Sequence, residues 1–185
     1  MPMATESIQW TLAELHRLPD DGNKYELVRG ELFVTPAPTP LHETILVRLT
    51  GNLSPYVERH GLGLIYHPRA VVRFDGSEVE PDLMVRQPWP TANARWEDAP
   101  VPILVVEVLS DSTRRRDLRQ KRDFYLDTGV AEYWVLDPEA RTAHVVRRGM
   151  PDLVTDTQLE WLPAGVSEAL VIDVRRLISF LPESP

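Results

Sequence analysis

The chain contains no cysteine in its 185 residues, which excludes disulfides and thiolate-bound zinc and suits a reducing compartment. Long hydrophobic runs are missing as well. The longest, Pro100 to Leu109, is broken by Glu107 and falls far short of the ~20 apolar residues that a membrane-spanning helix requires, so no membrane partner is expected. Met1-Pro2-Met3-Ala4-Thr5-Glu6 shows no basic region followed by an apolar stretch, so no signal peptide is expected and the cytoplasm is the expected location. Positive charge is in deficit, with 20 basic against 28 acidic residues and a net charge of −8. That balance disfavours a general nucleic-acid binder, whose affinity comes from neutralising many phosphates. It leaves open an enzyme that is basic only locally and offsets clustered carboxylates with a metal.

What is present reads as one packed domain over residues 1–185. Hydrophobic residues make up 43% of the chain, and the 17 prolines are scattered as punctuation between short elements. Thr11 and Glu14 form a capping-box pattern that opens a short helix ending before Pro19. Arg29-Gly30 lies between two alternating segments, Tyr25–Val28 and Glu31–Val34, and predicts an N-terminal hairpin with Gly30 at positive φ. Thr39-Pro40 predicts a helix start, followed by Leu41, Ile45, Leu49 and Leu53 on one stripe, with Ser54-Pro55 ending or kinking the helix. Leu64 to Phe74 and Val79 to Val85 read as two antiparallel strands joined through Asp75-Gly76, and Arg86 to Pro100 as a surface loop. Ile103 to Leu109 has the continuous apolar character of a central strand. A helix from about Thr113 to Thr128, capped by Ser110 or Ser112 and closed by Gly129, then leads to a strand at Glu132–Leu136. That crossover makes the two strands parallel. One or two further strands, at Ala143–Arg147 and Gln158–Leu162, and a terminal helix near Val174–Leu181 complete the expectation.

Chemistry is signalled by carboxylates placed where a buried strand prefers aliphatics. Glu107 shares its face with Ile103, Val105 and Leu109, and an ionised carboxylate there is costly without a cation or several donors. A strand-end glutamate paired with an arginine would also satisfy the pattern. Asp82 follows Pro81, which limits strand pairing, and lies on the strand expected beside that of Glu107. Pro-Asp alone is a common turn dipeptide, but two acids on adjacent strands make a site for a hard cation such as magnesium, with the Val108 carbonyl as a further ligand. Lys121, spaced three and four residues from the inward Leu118 and Tyr125, is directed toward the sheet, unless it snorkels to the surface. Glu31 and His42 are second-tier candidates, each with an ordinary surface role as the alternative. Arg114 and Arg115 are possible phosphate contacts or a solvated helix start. His16, His60, His67 and His144 show no ligand spacing.

Taken together, Pro102-Ile103-Leu104-Val105-Val106-Glu107-Val108-Leu109-Ser110-Asp111-Ser112-Thr113, then Asp117, Lys121, Tyr125, Gly129 and Glu132-Tyr133-Trp134-Val135-Leu136-Asp137-Pro138, resemble a bacterial family of "putative restriction endonucleases" within the PD-(D/E)XK nuclease superfamily. Tyr25-Glu26-Leu27-Val28-Arg29-Gly30-Glu31-Leu32, His42 and Val79-Glu80-Pro81-Asp82 extend the resemblance, which covers roughly residues 25–148. It implies an α/β restriction-endonuclease-like fold, a central mixed sheet flanked by helices, with residues 149–185 as a strand and helix extension. It also implies a homodimer, DNA as substrate, and magnesium or manganese held at Asp82 and Glu107. The parent motif has a lysine two residues after the glutamate; here Leu109 stands there, and Lys121 on the following helix is the implied substitute.

Hydrolysis of DNA phosphodiesters by Asp82, Glu107 and Lys121 is therefore the expected function. The rival is a degenerate nuclease-fold dimer that binds nucleic acid or protein, which the acidic balance and Leu109 favour. A two-carboxylate glycosidase has only Trp89 and Trp96 in its support.

Overall fold

The computed structural model describes residues 9–88, 95–110 and 113–179. Trp89, Ser112 and the expected helix beyond Ser179 lie outside them. Helix α1 (Leu12–Leu15) carries both reciprocal bonds of the Thr11/Glu14 capping box. Strands β1 (Lys24–Val28) and β2 (Glu31–Thr35) form the expected hairpin. Both turn residues take positive φ, Arg29 at 51° and Gly30 at 82°, which is the twist-matched turn of a two-residue loop.

Helix α2 (Pro40–Arg59) begins at the predicted cap, where the Thr39 hydroxyl accepts the His42 N–H. It does not end at Ser54-Pro55 but runs through Pro55 to Arg59. The bond that Pro55 forfeits is outweighed by burial of Tyr56 and Val57 beyond it, and by the Tyr56 hydroxyl, which donates to the Glu168 carbonyl at 2.7 Å.

The two long strands expected between Leu64 and Val85 are each divided between sheets. Strands β4 (Val72–Phe74) and β5 (Ser77–Val79) pair around Asp75-Gly76 and extend the hairpin into a four-stranded sheet, in the order β2-β1-β5-β4. Strands β3 (Leu64–Tyr66) and β6 (Leu83–Arg86) pair with each other in a second sheet. The breaks fall at Pro68 and Pro81, where proline removes a ladder donor. Asp82 thus sits at the joint where the chain passes from one sheet to the other.

The second sheet has six strands, in the order β10 (Leu153–Thr155), β9 (Thr142–Val146), β8 (Glu132–Asp137), β7 (Leu104–Val108), β6 and β3, with β7 and β8 at its centre. β7 is antiparallel to β6 and parallel to β8. The crossover between β7 and β8 is helical, but in three pieces: α3 (Arg114–Arg116), a π-helical turn (Asp117–Lys121) and α4 (Arg122–Thr128). Gly129 closes it at φ 93°. Thr113 stands at the N-cap of α3 without a side-chain cap bond, and the Ser110 carbonyl accepts the Thr113 and Arg114 N–H groups.

β9 (Thr142–Val146) and β11 (Gln158–Trp161) match the expected strands to within a residue, whereas β10 (Leu153–Thr155) and β12 (Leu170–Asp173) were not foreseen. They are short and carry exposed apolar residues, Leu153, Val154 and Val171. Helix α5 (Val174–Ile178) ends the described chain.

Two apolar clusters lie on opposite faces of the six-stranded sheet. Leu83, Leu104, Val106 and Val108 pack with α2 and α5; Met84, Val105, Tyr133 and Val135 pack with Phe124 and Tyr125 of α4. Ile103, just before β7, joins the α2 side rather than the face of Val105 and Leu109. Among the described residues no helix is long and apolar enough to cross a membrane.

Candidate active site

Alternation along the strands decides which side chains meet. Asp82 lies two residues before Met84, and Glu107 two after Val105, so both acids share the α4 face. The β6–β7 register pairs Leu83 with Val106; carried one residue further, it sets Asp82 against Glu107. Beyond Pro81 the ladder is open, and the Val108 N–H donates to Asp82 Oδ2 at 2.9 Å instead of to a strand carbonyl. In an extended residue N–H and C=O point the same way, so the Val108 carbonyl is also turned toward Asp82.

Lys121 points inward as its spacing predicts. The π turn, with one extra residue in its repeat, brings Asp117, Lys121 and Tyr125 all onto the buried side, whereas Leu118 is only partly buried. The Lys121 ammonium is 0% exposed and lies 2.7 Å from Glu107 Oε1, 2.7 Å from Glu26 Oε1 and 3.8 Å from Asp117 Oδ1. The Tyr125 hydroxyl donates to the same Glu107 Oε1 at 2.7 Å. Glu26 also accepts the Glu80 N–H at 2.9 Å and lies 3.5 Å from Arg116 Nη2.

In front of this cage opens a cleft of about 920 Å³. Lys24, His42, Asp82, Glu107, Val108 and Arg116 line it; Lys121 and Glu26 stand behind. Asp82 is clasped from the cleft side. Lys24 Nζ donates to its Oδ1 at 3.0 Å, and His42 Nε2 lies 3.0 Å from its Oδ2.

These surroundings push the two strand acids apart. Burial raises Glu107 to about 7, against the pull of Lys121. Burial acts on Asp82 too, but Lys24 and His42 overcome it and hold that carboxyl far below the usual range, so it stays ionised. Burial opposes the charge on Lys24, Lys121 and His42, yet the facing carboxylates win in each case and raise all three. Glu26, despite its burial, is lowered by Lys121, Lys24 and Arg116. Carboxylates with separated affinities for protons are a pattern of catalytic sites.

Asp82, Glu107, Lys121 and His42 are thus brought together, with Val108 between the two acids. Glu31 is not: it is exposed and accepts from the Gln120 amide at 2.6 Å. Arg114 is engaged by Asp137, with Nη2 at 2.9 Å from Oδ1, and by Glu139 at 2.7 Å, while Arg115 is exposed. The hairpin does contribute an acid, but it is Glu26. Lys24 and Glu26 were overlooked, although two charged residues at i and i+2 of a strand must share a face. A second signal lay in the composition: Lys24 and Lys121 are the only lysines in the sequence, against 18 arginines.

Among the described residues no group of three or more His, Asp or Glu side chains is arranged to hold a metal ion. Two carboxylates and a main-chain carbonyl remain, a donor set that suits a magnesium ion keeping several waters.

Comparison with known proteins places the chain in a family. Residues 12–175 match the family Uma2, described as "Putative restriction endonuclease". No curated protein matches the chain. Among solved structures, a protein described as a "putative nuclease belonging to DUF820" from Anabaena variabilis ATCC 29413 superposes with a TM-score of 0.75 at 21% identity, over 91% of this chain and 97% of that one. At that identity the likeness shows a shared fold, the restriction-endonuclease-like one.

Proposed function

The chain belongs to the Uma2 family of "putative restriction endonucleases", and on that premise we propose that its cleft hydrolyses DNA phosphodiester bonds with a magnesium or manganese ion held by Asp82, Glu107 and the Val108 carbonyl. The observation that carries the reading is the pair Asp82 and Glu107, set opposite each other on one sheet face and both open to the cleft. A bound divalent ion supplies an activated water and charge stabilisation at the phosphate. Asp82 stays ionised and offers a permanent anionic ligand. Glu107, poised near neutrality, can give up a proton when a cation arrives.

Lys121 has a different part from the one its spacing suggested. Buried behind Glu107, it fixes that carboxylate and Glu26 from the rear, and so acts as a positioning residue. Lys24, Arg69 and Arg116 are cations that line the cleft, as is His42 when protonated. Cutting both strands of a duplex calls for two copies or two visits, so a homodimer is part of the proposal.

A second reading has one observation in its favour. Both oxygens of Asp82 already accept from protein donors, as they would in a nuclease fold kept as a binding module. Nicking of plasmid and single-stranded DNA with added magnesium separates the two. Wild type should cut, and Asp82→Asn should not. Equal cutting by both preparations would mean contamination; cutting by neither, with metal-independent capture of DNA, would favour the binding module.

A further inference from the structure

Lys24 sits where a hard cation would coordinate. Its ammonium donates to Asp82 Oδ1 at 3.0 Å and to the Glu80 carbonyl at 3.1 Å, a carboxylate and main-chain carbonyl of the kind that hard cations take as ligands. The other oxygen of Asp82 is committed to His42 and the Val108 N–H, so Oδ1 is the atom through which an incoming ion would bind. Glu107 presents no such obstacle, because Lys121 and Tyr125 both act on its Oε1.

The choice of residue fits this position. A chain that uses arginine 18 times uses lysine twice, and both lysines contact the carboxylates of this site. A guanidinium is planar and spreads its charge, whereas an ammonium is a compact point charge on a flexible four-carbon stem. Lys24 retains 16% exposure of its side chain and lines the cleft, so it has space to leave. Lys121, enclosed on all sides, has none.

We propose that Lys24 is a built-in competitor for the divalent cation: its ammonium occupies Asp82 Oδ1 until the ion binds, and binding displaces it into the cleft. There the freed ammonium meets a substrate phosphate, so that loading the ion also arms a phosphate-binding group. The inference rests on the cation reading of the site given above.

The test uses the full chain and manganese alone. Calorimetric titration of wild type and Lys24→Met should show the variant binding manganese ~10-fold more tightly or better, a difference of ~1.4 kcal/mol. Acylation of wild type by acetic anhydride, read by mass spectrometry, reports the same event without a mutation. Lys24 should label several-fold faster at saturating manganese, with Lys121 as the internal control. Equal or weaker binding by Lys24→Met, no manganese binding by either protein, or unchanged labelling of Lys24 at saturation would each overturn the proposal. The nuclease reading fails separately. Tighter binding by the variant without DNA cleavage by wild type removes the nuclease and leaves the competition, and cleavage with unchanged affinity does the reverse.

Discussion

Lys121 and Lys24 each bind a strand carboxylate, yet they occupy opposite sides of the same wall. Lys121 is closed in by Glu26, Glu107 and Asp117 and is fully buried; Lys24 reaches Asp82 from the cleft and keeps contact with solvent. Behind the wall, a charge removed leaves its partners stranded in a medium that cannot screen them. In front of it, water and ions can take the place of whatever is removed. The same chemical pair is therefore enclosed in one region and open to the cleft in the other.

The largest expected effect tests the rear. Lys121→Met should cost about 3–5 kcal/mol in urea denaturation, because two buried carboxylates lose their common cation. Lys24→Met should cost only about 1–2 kcal/mol, since Asp82 keeps His42 and the Val108 N–H. Equal losses would dissolve the distinction. Next, Asp82→Asn should lower DNA cleavage by about 10²-fold or more, the several kcal/mol of transition-state stabilisation that a correctly held ion contributes. A loss under tenfold would remove Asp82 from the chemistry.

A pH comparison sharpens the contrast further. Glu107 has its folded pKa raised from 4.5 to about 7, so the folded protein holds the proton more tightly than the unfolded chain. Its stabilising contribution is present below pH 4.5 and is lost as pH rises toward 7. Wild type minus Glu107→Gln should show that fall as a difference of about 1–3 kcal/mol in urea midpoints converted to free energy. Asp82 runs the other way. Its folded pKa is depressed, so its contribution is present above the ordinary value of 3.8 and is lost only as pH falls below it. A flat difference curve for Glu107 would mean that its burial is fully compensated by Lys121 and Tyr125.

The smallest effect concerns the arginine run. Arg114→Ala should cost about 0.5–1 kcal/mol by losing a partly exposed pair with Asp137, and should leave DNA affinity unchanged. Arg115→Ala should leave stability alone and, if this residue meets a phosphate, reduce the slope of log affinity against log salt by about 1.

The order of elements was largely legible, because caps, prolines and periodicity act locally. Thr11/Glu14, Thr39-Pro40, Arg29-Gly30 and Gly129 each mark a boundary that the fold respects. The misreadings are nonlocal. Pro55 looks like a stop, but the burial of Tyr56 carries α2 past it. The division of two long strands between two sheets depends on which neighbours lie alongside. In the site, Asp82, Glu107 and Lys121 stood out because a charge within an apolar pattern is conspicuous. Lys24 and Glu26 lie in a strand whose outer half looks ordinary, and Glu31, equally acidic and five residues further, points to solvent.

By itself the sequence determined which residues could not be left in an apolar interior without partners, since the cost of burying a charge is a property of the side chain and its immediate pattern. Only the tertiary structure decided which partner each received and which side of the wall it faced. A π turn, a broken ladder at Pro81 and a hairpin brought against the crossover helix set those distances, and none of them is a property of any one segment.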